Sequence, residues 1–149
     1  MASGWYTEGL KRLLTDLNVS VTSLKGMLVD STYAFDKTET TLTALAAKEI
    51  SVSGYVGGFE GAGRKAATVT ATANQVDGRA DVAVADLTWT GLAAGATIGG
   101  AALIYETGGN DASSIPIAWL DLADTPTNGG DITLDFAALG AGGNLRVTA

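Results

Sequence analysis

The sequence predicts a mainly β fold, an antiparallel β-sandwich, jelly-roll-like, of about eight strands with a short N-terminal helix. Three observations carry this. Short apolar or alternating runs recur from Val19 to the C-terminal Leu145–Thr148. Glycine-rich or Asx-Gly turns separate them, among the 20 glycines of the 149 residues. Helical spacing is confined to the first segment and to a short stretch around Leu42 to Ala47.

The elements follow in order. Trp5, Tyr6, Leu10, Leu13 and Leu14 recur at spacings of three and four, so Trp5 to Leu14 reads as a helix, with Ser3 as a candidate cap. Gly9 interrupts it at about 1 kcal/mol relative to Ala, which makes the helix short or frayed. Residues 1–18 are thus read as a helical arm and 19–149 as one sandwich domain. Val19 to Val29 is an apolar, β-branched run that ends at Asp30-Ser31, and reads as a core strand. The polar stretch from Ser31 to Lys48 follows. Ile50 to Val56 alternates like a strand, and Gly57 to Gly63, with four glycines in seven residues, reads as a flexible or irregular loop.

Arg64 to Ala73 alternates strictly, placing Lys65, Ala67 and Val69 on one face and Arg64, Ala66 and Thr68 on the other, as in a half-exposed strand. Asp77-Gly78 marks a hairpin turn into a returning strand, Arg79 to Trp89. Ile98 to Tyr105 and Ile115 to Leu122 are the most buried strand candidates. In Ile132 to Phe136, Ile132, Leu134 and Phe136 face inward and the flanking aspartates outward.

Composition narrows the chemistry. There is no His and no Cys. Ser-His and Cys-His nucleophilic pairs, the usual zinc and iron–sulfur ligand sets and disulfides are therefore excluded. No enzymatic activity, cofactor or metal is expected. Nine basic against 16 acidic residues give a net charge of −7. A surface of that sign repels phosphate backbones and anionic lipid, which argues against nucleic acid and membrane as partners. No apolar run approaches the ~18 residues of a spanning helix, so a soluble, cytoplasmically synthesised protein is expected. The apolar content is inflated by alanine, and aromatics make up only 7%. A core of small side chains gains less from burial at ~25 cal/mol per Å², which favours assembly as a further source of stability.

Each candidate site has a plain structural counterpart. A glycosidase needs only two carboxylates at a controlled separation, but Asp121, Asp124, Asp131 and Asp135 fall where solvated carboxylates normally sit. Asn110-Asp111 and Asn128-Gly129-Gly130-Asp131 are oxygen-rich, yet lack the regular spacing of a calcium loop and read as turns. The glycines of 57–63 precede an alternating strand instead of a helix, which argues against a phosphate cradle and for a mobile loop that orders against a neighbouring subunit. Trp5 and Tyr6 must pack against something, either the chain's own sandwich or a partner on which the arm docks. In the second case the sandwich survives removal of Met1 to Leu14. Trp5, Tyr6, Leu10, Tyr55 and Phe59 are the candidate protein-interface residues.

Several segments together resemble small structural proteins of tailed bacteriophages. They are Trp5 to Leu14, Met27-Leu28-Val29-Asp30 with Tyr33, Phe35 and Asp36, Glu49-Ile50-Ser51 with Gly54-Tyr55, Asp86 to Leu92, Asn128 to Asp131 and Leu145 to Thr148. The resemblance implies a virion component, in the manner of capsid decoration (cement) proteins that sit as homotrimers on the outer surface of the head. The implied partners are the major capsid protein and further copies of this chain, and the implied location is the capsid surface. The family contributes no catalytic or ligand residues. The Leu92–Ala102 and Ala137–Gly143 segments depart from its pattern. The alternative is a tail or fibre protein, with a carbohydrate-binding role as the rival class of function.

Overall fold

In the computed structural model, which describes residues 4–9, 24–74, 79–136 and 144–148, ten strands are formed. They are β1 (Gly4–Trp5), β2 (Leu24–Asp30), β3 (Lys65–Ala66), β4 (Val69–Asn74), β5 (Arg79–Val84), β6 (Leu87–Trp89), β7 (Thr97–Tyr105), β8 (Ile115–Pro126), β9 (Ile132–Leu134) and β10 (Asn144–Thr148). Residues 7–9 are helical, and a one-turn helix spans Thr43–Ala46. The fold is mainly β with antiparallel sheets, as expected. Its strands divide five, three and two, in the orders β1-β8-β7-β2-β3, β10-β5-β4 and β6-β9.

The five-stranded sheet is covered on both faces. Leu24 and Leu28 of β2 point into one core, Met27 and Val29 into another, as a period of two requires. In the first core Leu87 and Trp89 of β6, Leu134 of β9 and Phe136 lie over Ile98, Ala101, Leu103, Ile117 and Leu120. The second core joins Tyr6, Tyr33, Leu42 and Leu45 to Ala102, Ile104 and Trp119. Two register shifts reconcile this with simple alternation. One, between Ile98 and Gly100 on β7, lets Ile98 and Ala101 share a face; the other, between Leu103 and Ile104, reverses β8 between Ile117 and Ala118. Strands with both faces buried read as continuous apolar runs, which is why these two are the most conspicuous in the sequence.

Four expectations are corrected. Ile50–Val56 is not a strand: Gly54, at φ +93°, turns the chain, leaving only isolated bridges Val29 to Glu49 and Val52 to Tyr55. The run from Arg64 breaks after Ala66, where the Ala67 N–H turns to the Leu24 carbonyl at 2.8 Å. Arg64 itself is buried instead of half-exposed. Arg79 to Trp89 divides at Ala85-Asp86, because β5 pairs with β4 and β10 whereas β6 pairs with β9. The β4–β5 hairpin forms, with Val69 opposite Val84 and Ala71 opposite Val82, while its expected Asp77-Gly78 turn lies outside the described residues. So do Val19, Val21 and the part of the N-terminal helix beyond Gly9.

The arm packs on the chain's own sheet. Gly4 and Trp5 pair with Trp119 and Ala118, and the Tyr6 N–H donates to the Ile117 carbonyl at 3.1 Å. Tyr6 is fully buried, its ring edge-on to Phe35 at 5.0 Å and its hydroxyl 2.9 Å from that of Tyr33. Burial first, and then the Tyr33 hydrogen bond, push the Tyr6 hydroxyl well above the ordinary tyrosine range, so it stays neutral. Removing the arm would strip the second core of a large side chain.

Gly9 has its own reason. A Cβ there would lie 2.7 Å from the Ile117 Cα and from the Pro116 and Ile117 carbonyl oxygens, so the helical turn rests directly on the backbone of β8. On an open helix, Gly→Ala stabilises by about 1 kcal/mol. Here Gly9→Ala is expected to destabilise by about 1–3 kcal/mol through overpacking, read as a lowered midpoint in urea.

Candidate functional site

The glycine-rich segment is held in place by a buried cation. Arg64 is 3% exposed, and its guanidinium uses all five of its N–H donors. Nε and Nη2 donate to the two carboxylate oxygens of Glu49 at 3.0 and 2.7 Å. Nη1 donates to Glu106 at 2.9 Å and to Asp111 at 2.5 Å, and Nη2 reaches the second Asp111 oxygen at 3.3 Å. Lys25 of β2 pairs with the other Glu106 oxygen. Two cations thus face three carboxylates.

Each carboxylate arrives from a different element. Glu49 follows the one-turn helix and bridges to Val29 of β2. Glu106 directly follows β7. Asp111 lies in the β7–β8 connection, which the buried Ser114 hydroxyl secures through the Thr107 and Asn110 carbonyls at 3.2 and 2.9 Å. Burial alone would raise the Glu106 carboxyl, but Lys25, Arg64 and the Glu60 N–H outweigh it and hold the group below its ordinary value of 4.5. Burial likewise disfavours the charged guanidinium, and its hydrogen bonds to Glu49, Asp111 and Glu106 reverse that, keeping Arg64 charged.

The same carboxylates grip the loop backbone. The Gly58 N–H donates to Glu49 at 2.9 Å and the Glu60 N–H to Glu106 at 3.1 Å. Inside the loop, the Gly61 N–H reaches the Gly58 carbonyl and the Gly63 N–H the Val56 carbonyl, both at 2.8 Å. Trp89 Nε1 closes the end on the Gly63 carbonyl at 2.5 Å. Tyr55 joins the cluster to β2, accepting the Leu28 N–H at 3.2 Å and donating to Glu49 at 2.8 Å. Two of the glycines serve close approach: a Cβ on Gly63 would sit 2.8 Å from the Tyr55 ring, and one on Gly61 2.3 Å from the Val56 carbonyl oxygen. Glu60 adopts φ +57°, a left-handed conformation unusual for a non-glycine residue. The expected irregular loop is present, and these bonds tie it to its own chain.

On this frame Val56 stands 64% exposed, and Phe59 is half-buried. The other candidate interface residues are placed differently. Tyr6 and Tyr55 are buried in the chain's own packing, Trp5 is placed by its backbone opposite Ala118, and Leu10 lies outside the described residues. The oxygen-rich turns use their side chains on backbone N–H groups or on Arg64: Asn110 Oδ1 accepts the Ser113 N–H, Asn128 Oδ1 the Gly130 N–H and Asp131 Oδ1 the Gly91 N–H, Asp111 being the one on Arg64. Arg64 is the residue that sequence reasoning missed, and its partners lie 15, 42 and 47 positions away. Among the described residues no group of three His, Cys, Asp or Glu is arranged to hold a metal, and no helix is long and apolar enough to cross a membrane.

No protein-family model, curated protein or solved structure matches the chain.

Removing one partner from a buried ion cluster strands the others without compensation. Arg64→Met is expected to cost about 3–5 kcal/mol in urea unfolding at pH 7, and Arg64→Lys, with three donors in place of five, to recover only a fraction of it. The Glu106 contribution has the sign of a depressed carboxyl: it is complete above the unfolded value near 4.5 and is lost as pH falls through the lower folded value. Unfolding midpoints should therefore be flat with respect to this group above about pH 5 and fall below about pH 4, less steeply in Glu106→Gln.

Proposed function

We propose that this chain is a structural protein of the bacteriophage virion, a capsid decoration protein that binds the outside of the major capsid shell and stabilises it as a homo-oligomer, in trimers. The observation that carries the reading is the pre-set loop that holds Val56 out to solvent. A surface contact made through a loop already held in its bound shape loses little conformational entropy on docking, so a small apolar anchor contributes more to affinity. The resemblance of the Trp5–Leu14, Glu49–Tyr55 and Asp86–Leu92 segments to phage structural proteins points to the shell as the partner. Repetition of a weak contact over many copies then gives avidity that no single contact supplies.

Val56 and Phe59 are the residues assigned to the contact. The arm is given no docking role, since Tyr6 is enclosed by Tyr33 and Phe35.

Co-sedimentation of the purified protein with undecorated capsids, alongside light-scattering mass in solution, tests the proposal. Saturable binding with a trimeric mass, weakened about tenfold or more by Val56→Asp at unchanged stability, is the expected result; one decade corresponds to ~1.4 kcal/mol. Absence of binding to heads would overturn the cement role and transfer the search to tail and fibre particles.

A further inference from the structure

We infer that the Arg64 cluster is an acid-releasable clasp, whose opening frees residues 56–62 while both apolar cores stay closed. The inference goes beyond the virion reading, and holds or falls on the isolated chain.

The geometry gathers three carboxylates around one buried cation. The groups that face one another are Lys25 from β2, Glu49 ahead of Ile50, Tyr55, Arg64, Glu106 after β7 and Asp111 in the β7–β8 connection. Tyr55 is already neutral, since burial and the neighbouring Glu49 charge hold its hydroxyl above the ordinary range. Arg64 keeps its charge throughout the acid range. Acid neutralises carboxylates, and each counter-charge lost from around a buried guanidinium leaves it less balanced, an arrangement that the low dielectric makes unfavourable.

The loop is the segment that yields most readily. None of residues 56–62 is buried, so its opening exposes little apolar surface. Its ties include the Gly58 and Glu60 N–H groups on Glu49 and Glu106, acceptors that weaken on protonation, beside the Val56 and Gly61 carbonyls that accept the Gly63 and Arg64 N–H groups. Strain at Glu60, with φ +57°, is relieved on release. The two cores instead rest mainly on aliphatic and aromatic packing, with carboxylates touching them at the Tyr55 and Tyr33 hydroxyls, which donate to Glu49 and Glu39. Local opening should therefore precede global unfolding.

The test is an amide ¹H–¹⁵N titration of the full chain from neutral to acid pH, with heteronuclear NOEs at each point. The Gly58 and Glu60 amides report the clasp, and those of Ala101, Leu103 and Ala118 report the sheet. The expected result is a joint loss of NOE and shift dispersion at Gly58 and Glu60 as the pH is lowered, with the three sheet amides unchanged at the same pH. In Glu106→Gln at pH 7, the Glu60 amide should already have lost NOE while Gly58, held by Glu49, keeps it. The clasp is overturned if loop and sheet amides change in one transition. It is equally overturned if Glu60 in Glu106→Gln keeps the wild-type shift and NOE.

Discussion

A guanidinium withdrawn from water sets the arrangement around it. Burying such an ion is unfavourable by several kcal/mol unless every donor is met and the charge is balanced. Arg64 meets that demand by gathering Glu49, Glu106 and Asp111 from three separate stretches of the chain. Once gathered, the carboxylates have lone pairs to spare, and these are taken by Lys25, by the Tyr55 hydroxyl and by two backbone N–H groups of the loop. The loop's shape thus follows from satisfying one cation, and its glycines fit the small space that remains.

The central sheet supplies the other constraint. Both of its faces are covered, so each strand must feed two cores whose side chains differ in kind. The face under β6 and β9 is mostly aliphatic, with Tyr55, Trp89 and Phe136 among it, whereas the opposite face holds an aromatic group, with Tyr33 at 4.9 Å and Phe35 at 6.5 Å from the Trp119 ring. The register shifts on β7 and β8 allow a chain rich in small residues to fill both layers. Ala101 and Ala102 lie back to back, one in each core.

How much of this is legible in the sequence depends on the range of the interaction. The buried strands β7 and β8, the short β9 with Leu134 and Phe136 inward, and the Thr43–Ala46 turn of helix all declare themselves through neighbouring residues. Ile50–Val56 misleads because alternation continues through Gly54, whose positive φ ends any strand. Arg64 misleads for a different reason. Strict alternation puts it on a solvent face, and nothing within ten residues shows that its partners lie at 49, 106 and 111. Tyr6 is legible as an aromatic that must be covered; that its cover is Tyr33 and Phe35 of the same chain rests on contacts 27 or more residues apart.

The five-donor arginine also has a mechanical meaning. A pull on the loop at Val56 is shared at Arg64 among three anchors, each fastened to a different stretch of backbone, and no anchor can slip without straining the other two. Links that act in parallel divide a load among themselves, whereas links in series each bear all of it. The most glycine-rich stretch of this chain should therefore be stiff under tension and should transmit a tug on its tip to the sheet with little extension.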